Sequence, residues 1–309
     1  MITTVTLNAA IDKTYSVKSF EMDRVSRVTD MIAVPGGKGI NVARVASLLG
    51  EPVTAAGFVA GFNGQSIRSG LDTEGISHDF TEVPGESRLC LTVLDAHNGT
   101  QTELLEPGPV IAENSLLTLK EKVKELAGRS THVCFSGSLP LGCPPSLYAE
   151  LITLAREAGA KAVLDASGDA LAAGLEAMPL LIKPNEHEIV RLLGRPASSD
   201  DDLAACIREL MQRGIRHVVV SLGARGALAG SSGRVRRVAI PAIRAVNPVG
   251  SGDAMVAGMV TALRQGRSDA DVIRFGAACG SANALQMQAG VVTAEDVERI
   301  FRDITVTDY

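Results

Sequence analysis

The sequence predicts an α/β fold: a mostly parallel β-sheet with helices on both faces. Three observations carry that expectation. Short β-branched runs alternate along the chain with longer segments of helical periodicity. The short runs are apolar throughout, the pattern of strands buried on both faces. Glycine- and serine-rich turns follow several of them, at the carboxyl edge where such sheets bind ligands. With 309 residues, 46% of them hydrophobic and 21% charged, the chain is long enough to bury a sizeable core.

The β-branched run Ile2–Leu7 opens the sheet as a strand. Gly39–Leu49 follows as a helix entered through glycines, then strand Val53–Phe58 and helix Ser66–Glu74. Glu113–Ala127, strand Thr131–Phe135, helix Pro145–Ala158 and strand Ala162–Leu164 continue the alternation. Leu180–Ile182 is a strand stopped by proline, and Glu186–Leu193 and Asp201–Arg213 are helices before strand His217–Val220. From Asp253 a helix that is apolar nearly all round belongs in the interior. Two stretches break the rhythm. Thr14–Val34 and Arg88–Leu105 alternate polar and apolar residues, and His97-Asn98-Gly99 marks a hairpin turn between Ser87–Leu94 and Gln101–Leu105. They predict a small antiparallel sheet projecting from the main body, a lid formed by about residues 12–34 and 87–106. No repeat, linker or low-complexity tract divides the chain, so residues 1–309 are expected to form a single domain.

Composition narrows the function. Lysine plus arginine total 30 against 35 acids, a net charge of −5, which disfavours a nucleic-acid-binding domain. Cys90, Cys134, Cys143, Cys206 and Cys279 are scattered and form no C-x-x-C, as thiols of a reducing cytosol. The N-terminus lacks a targeting pattern, and the longest uncharged stretch, Phe275–Ala294, is too rich in Ser, Asn, Gln and Gly to span a membrane. A cytoplasmic protein, with no membrane partner, is expected.

Three segments carry chemistry. Asn247-Pro248-Val249-Gly250-Ser251-Gly252-Asp253 places glycines at a helix start, where backbone N–H groups and the helix dipole converge on an anion. Asp253 then lies in the first turn beside that anion. Pro35-Gly36-Gly37-Lys38-Gly39-Ile40-Asn41 also leads glycines into a helix, with Lys38 as a cation and Asn41 as donor and acceptor; it matches neither a Walker A loop nor a dinucleotide fingerprint. Lys183-Pro184-Asn185-Glu186-His187-Glu188 sets Asn185 and Glu188 three apart on one helix face, oxygen ligands suited to hydrated Mg²⁺, or simply a capped helix start. Ser136-Gly137-Ser138 and Ser221-Leu222-Gly223-Ala224-Arg225-Gly226 each follow a strand. The five histidines show no metal-ligand spacing.

Taken together and in this order, these segments resemble the ribokinase-like (PfkB) family of carbohydrate kinases over essentially the whole chain. The resemblance implies a ribokinase-like central sheet with helices on both faces and a small β-lid. It implies that Asp253 is the general base, with Gly250, Ser251 and Gly252 as the anion hole for the transferring phosphoryl group. It places Asp12, Gly37, Lys38, Asn41, Arg88 and Ser138 at the sugar, Lys183, Asn185, Ser221, Gly223, Gly226 and Asn283 at ATP, and Asn185 and Glu188 at Mg²⁺. Thr6-Leu7-Asn8-Ala9-Ala10-Ile11-Asp12-Lys13 and Gly37-Lys38-Gly39-Ile40-Asn41 are similar to the branch acting on phosphorylated ketohexoses, and Lys38 and Arg88 would supply cations for the sugar phosphate. Glu106-Pro107-Gly108-Pro109 and Cys90 lean toward tagatose-6-phosphate kinases, with 1-phosphofructokinase as the alternative and a non-catalytic sensor as a rival of another class. Ala9 stands where this family usually has proline. A homodimer is expected through the lid, where Tyr15, Val17, Val25, Val28, Leu89, Leu91 and Val93 form an apolar face.

Overall fold

A computed structural model describes all 309 residues. In chain order the first half runs β1 (Ile2–Thr6), β2 (Ala10–Val17), β3 (Val28–Gly36), α1 (Lys38–Leu48), β4 (Val53–Val59), α2 (Gly61–Thr73), β5 (Ser77–Glu82), β6 (Arg88–Asp95) and β7 (Thr100–Leu105). The middle continues as α3 (Glu113–Gly128), β8 (His132–Ser136), α4 (Leu147–Glu157), β9 (Lys161–Asp165), α5 (Gly168–Leu175), β10 (Leu181–Ile182), α6 (Glu186–Leu193) and α7 (Asp200–Gln212). It ends β11 (His217–Ser221), β12 (Ala227–Ser231), β13 (Arg234–Ala239), α8 (Ser251–Arg264), α9 (Asp269–Ala284), α10 (Ala294–Asp303) and β14 (Thr305–Asp308).

Ten strands form the main sheet in the order β14-β13-β12-β11-β10-β9-β8-β1-β4-β5. Every pairing from β11 to β5 is parallel, whereas β12, β13 and β14 add an antiparallel edge. Side chains alternate between faces: Ile2, Val163 and Val219 pack with α1, α8, α9 and α10, while Val5, Leu164, Val218 and Val220 pack with α3, α4, α5 and α7. That double coverage explains why these strands read as continuous apolar runs. Helix α8 has ten consecutive buried residues, Asp253 through Ala262, as its all-round apolar sequence requires. No helix is long and apolar enough to cross a membrane.

The lid is a separate four-stranded sheet, β3-β2-β6-β7. Its two hairpins are antiparallel, but its central pair, β2 and β6, is parallel, with Asp12 beside Cys90 and Tyr15 beside Val93. This departs from the wholly antiparallel sheet expected. Chain direction is the reason: β2 leaves β1 and β6 follows β5, both strands of the parallel sheet, so the chain enters the lid the same way twice. Asp95 ties the two excursions together, accepting hydrogen bonds from the N–H groups of His97, Asn98 and Phe20. Strands β5, β12, β13 and β14 and helices α5, α9 and α10 have no counterpart among the elements expected from the sequence. Polar residues interrupt β5, β13 and β14, as in Arg-Val-Arg-Arg-Val-Ala of β13, so none of the three reads as an apolar run.

Candidate active site

A cavity of about 540 Å³ lies between the lid and the carboxyl ends of the central strands, where a doubly wound sheet is expected to bind ligands. Helix α8 points its N-terminus into it. Gly250 caps that helix in the left-handed region at φ 79°, where an added Cβ would meet the backbone nitrogen of Gly290 at 2.9 Å. The N–H groups of Gly250, Gly252 and Asp253 bond nothing within the chain. That of Ser251 is donated to the carbonyl of Pro248 at 3.2 Å, so it is committed in a way the sequence reading did not anticipate. Free N–H groups at a helix N-terminus form an anion site.

Asp253, only 6% exposed, stands in the first turn of α8 and accepts a hydrogen bond from Asn41 Nδ2 to Oδ2 at 2.9 Å. Burial pushes its carboxyl up to about 7, with the Lys38 ammonium, the Asn41 donor and Lys183 opposing and the Asp165 charge adding to the shift. The cause is physical: the all-round apolar helix that carries Asp253 also removes it from water.

Asp165, absent from the sequence reading, is the charge hub. It is the last residue of β9 and 1% exposed, with Oδ1 lying 3.4 Å from Lys38 Nζ and 3.5 Å from Lys183 Nζ. Burial alone would raise its carboxyl, but the Lys183 and Lys38 ammonium groups outweigh burial and hold it below the usual range. Asp165 in turn holds the Lys38 ammonium above its ordinary value. An acid ending a buried parallel strand was the available signal; the expected strand stopped at Leu164, one residue short. Lys38 therefore sits among Asp165, Lys183 and Asp253, at the helix end of the cavity and away from the lid.

The opposite end is built from the lid. Asp12 is seated against Gly36, whose place a Cβ could not share: it would fall 2.1 Å from the Asp12 carboxyl carbon. Burial raises the Asp12 carboxyl, countered by Gly37 N–H, Arg44, Arg88 and Cys90. Arg88 donates from Nε to the carbonyl of Asn8 at 3.1 Å and from Nη1 to that of Glu106 at 3.4 Å. Gly37 and Ser138 line the same space. Thr6 Oγ1, Asn8 Oδ1, Ser136 Oγ and the second oxygen of Asp165, all on residues lining this cavity, are buried without a partner, four groups that suit a polar ligand.

A second cavity, about 510 Å³, meets the first at Ser221 and Gly252. Gly223 and Gly226 line it, with Ile240, Pro241, Ile243, Met255 and Ala277. Asn283 lines neither cavity. Fully buried, it donates to Val249 O at 2.8 Å and to Ser251 Oγ at 3.3 Å and accepts from Gly290 N–H at 2.7 Å, bracing the loop before α8. Asn185 and Glu188 cap α6 reciprocally: each side chain accepts the other's backbone N–H at 2.9 Å. One Glu188 oxygen is left facing the cavity without a bond. No cluster of three or more His, Cys, Asp or Glu side chains could hold a metal unaided.

Residues 5–295 match the pfkB family of carbohydrate kinases. Among solved structures, phosphofructokinase-2 from Escherichia coli in complex with potassium is 32% identical, with 98% of each chain covered and a TM-score of 0.93. The same enzyme in complex with fructose-6-phosphate is 31% identical, with 98% of each chain covered and a TM-score of 0.91. A putative phosphofructokinase from Staphylococcus aureus is 33% identical over 100% of this chain and 99% of that one, TM-score 0.85. A possible 1-phosphofructokinase from Thermotoga maritima is 28% identical over 100% and 99%, TM-score 0.92.

Proposed function

We propose, from the premise that the chain belongs to the pfkB family of carbohydrate kinases, that it transfers the γ-phosphoryl group of ATP to the C1 hydroxyl of a ketohexose 6-phosphate, tagatose 6-phosphate first among them. One observation carries the reading. A buried carboxylate, Asp253, and free helix N–H groups stand where a polar cavity and an apolar one meet. The acceptor fits the first cavity and the nucleoside the second, with the γ-phosphoryl at Gly250–Gly252.

In the transfer, the acceptor O1–P bond forms as the bond from the γ-phosphorus to the bridging oxygen breaks. The hydroxyl proton passes to Asp253, and ADP leaves. Gly250 and Gly252 N–H groups stabilise the developing charge without reorganising. Lys38 and Lys183 add positive charge there, held in place by Asp165. Asp12 takes the sugar hydroxyls, and Arg88 the acceptor's own phosphate. Lys38 is thereby assigned to the transferring phosphoryl, because its ammonium lies against Asp165 and not against the lid.

The free Glu188 oxygen, with Asn185 beside it, suits a cation held chiefly by nucleotide phosphates and water, which is how Mg²⁺ is usually bound. Bound there, Mg²⁺ neutralises phosphate charge during transfer.

Fructose 6-phosphate, the C4 epimer of tagatose 6-phosphate, is the second reading, favoured by the likeness to phosphofructokinase-2 bound to it. Fructose 1-phosphate is favoured by the likeness to a possible 1-phosphofructokinase. ADP release with each of the three, and phosphorus NMR of the product, decides among them. Release with none of the three overturns the kinase reading in favour of a sensor.

The whole chain acts as one kinase domain, with residues 12–34 and 87–106 as its lid. Lid residues facing the cavity are mainly polar, including Asp12, Thr14, Thr92 and Glu103, while Met31 (52% exposed) and Leu104 (57%) face away. This inverted surface supports a homodimer through the lid. Val17, 4% exposed, is already covered within the chain, so Met31 and Leu104 are the positions to charge in testing it. Five free thiols, three of them buried, fit a cytoplasmic setting.

A further inference from the structure

We infer that Arg44 is a positioning residue for phosphoryl transfer: it acts through the Asn41 amide to select which oxygen of Asp253 meets the acceptor hydroxyl. The inference rests on Asp253 being the base.

Arg44 is 4% exposed in α1, one turn beyond Asn41, and does not itself line the cavity. Its Nη1 donates to Asn41 Oδ1 at 3.0 Å. A guanidinium has donors only, so the Asn41 atom it meets must be the oxygen. The opposite end of the amide is then the NH₂, donating to Asp253 Oδ2 at 2.9 Å. Turned over, the amide would set its oxygen against the carboxylate and its NH₂ against the guanidinium, two repulsive contacts in place of two attractive ones. Arg44 thus locks the amide from the end opposite Asp253, holding the oxygen that the carboxylate cannot hold. With Oδ2 held by Asn41, Oδ1 is the oxygen left for the acceptor's proton.

The lock is itself held. Glu74, at the C-terminal end of α2, grips Arg44 bidentately, Nε to Oε2 at 2.7 Å and Nη2 to Oε1 at 3.0 Å, and the Pro35 carbonyl accepts from Nη2 at 2.6 Å. The chain of contacts Glu74–Arg44–Asn41–Asp253 therefore runs from the protein surface to the reacting atoms. Charged groups on the other packed elements are Asp12 of β2, which feels Arg44, and Lys38 of α1, Asp165 of β9 and Lys183 after β10, which face Asp253; Glu188 of α6 acts on Lys38. None of these touches the Asn41 amide, so Arg44 is the charged group that fixes its oxygen end while Asp253 accepts from its NH₂.

The test is a double-mutant cycle read by kcat and its pH dependence. Arg44→Met is expected to lower kcat about 10-fold with the KM for ATP within about 2-fold, and to displace the acid limb of kcat to higher pH, because the donor that favours the Asp253 carboxylate is no longer fixed. In an Asn41→Ala background the same substitution is expected to change kcat by less than about 2-fold, since there is no amide left to orient. A full further 10-fold loss there, or a wild-type kcat and limb in Arg44→Met, overturns the inference. Should Arg44→Met not fold, Arg44→Lys carries the test: a single ammonium cannot serve Glu74 and Asn41 together, so a smaller displacement in the same direction is expected, and a wild-type kcat and limb overturn it. An Asp253→Asn enzyme with normal kcat defeats the base assignment; an inactive Asp253→Asn beside an unaffected Arg44→Met defeats this inference alone.

Discussion

The two cavities that meet at Gly252 and Ser221 are similar in size and opposite in chemistry. The first is lined by Asp12, Lys38, Arg88, Asp165, Lys183, Glu188 and Asp253. The second carries no charged side chain; its only side-chain hydroxyls are Ser221, Ser251 and Ser281, among alanines, glycines, prolines and larger apolar residues. A charged, hydrogen-bonding pocket rejects analogues that leave its groups unpaired, whereas an apolar one discriminates weakly. Specificity should therefore reside on the acceptor side and tolerance on the nucleoside side.

The largest effect is expected from Asp253→Asn, which should lower kcat by about 10²–10⁴-fold with both KM values little changed. A mutant keeping half the wild-type kcat breaks the account of the polar cavity. The same substitution has a stability signature. A carboxyl whose folded value is raised from 3.8 to about 7 costs stability progressively as pH climbs between those values, and constantly above them. Asp253→Asn should accordingly gain roughly 2–4 kcal/mol over wild type at pH 8, less at pH 5 and nothing near pH 3, read by denaturant unfolding.

Next is Asp165→Asn. It strips the shared counter-charge from Lys38 and Lys183, and breaking a buried pair costs about 3–5 kcal/mol. A Tm within a degree of wild type contradicts Asp165 as the hub. Arg88→Ala should raise the KM for the sugar phosphate about 10- to 150-fold and leave that for ATP alone. Equal effects on both substrates would place Arg88 elsewhere. Smallest is the donor base: replacing ATP by GTP is expected to change kcat/KM by no more than about 10-fold, because the serine hydroxyls both donate and accept. A loss above 1,000-fold, on the order of what a hydrogen-bonding base pocket achieves, reverses the comparison between the cavities.

The contrast also explains what the sequence could disclose. Gly250 to Asp253 are consecutive, so their joint role is written in one segment. The continuous apolar runs announce strands covered on both faces, and the alternation of residues 88–105 announces a lid. Asp165 and Asn8 reach the site through strand register between distant segments, and no spacing in the chain records that; Arg44 lies one turn from Asn41, but its other partners, Glu74 and Pro35, are set by packing. Asn283 went the other way: the family resemblance implied a nucleotide ligand, but in the fold it makes three internal hydrogen bonds that brace the loop before α8. Asn185 and Glu188 form the capping box that the same spacing allows.

The central claim, that Asp253 is a buried base whose ionisation is set by the apolar helix carrying it and by the Asn41 donor, is tested most directly by kcat/KM from pH 5 to 9 in wild type and Asn41→Ala. The account predicts an acid limb near 7 in wild type, the value to which burial pushes Asp253, and its displacement to higher pH once the Asn41 donor is gone. A limb in the ordinary carboxylate range, or one that stays in place in Asn41→Ala, would contradict it.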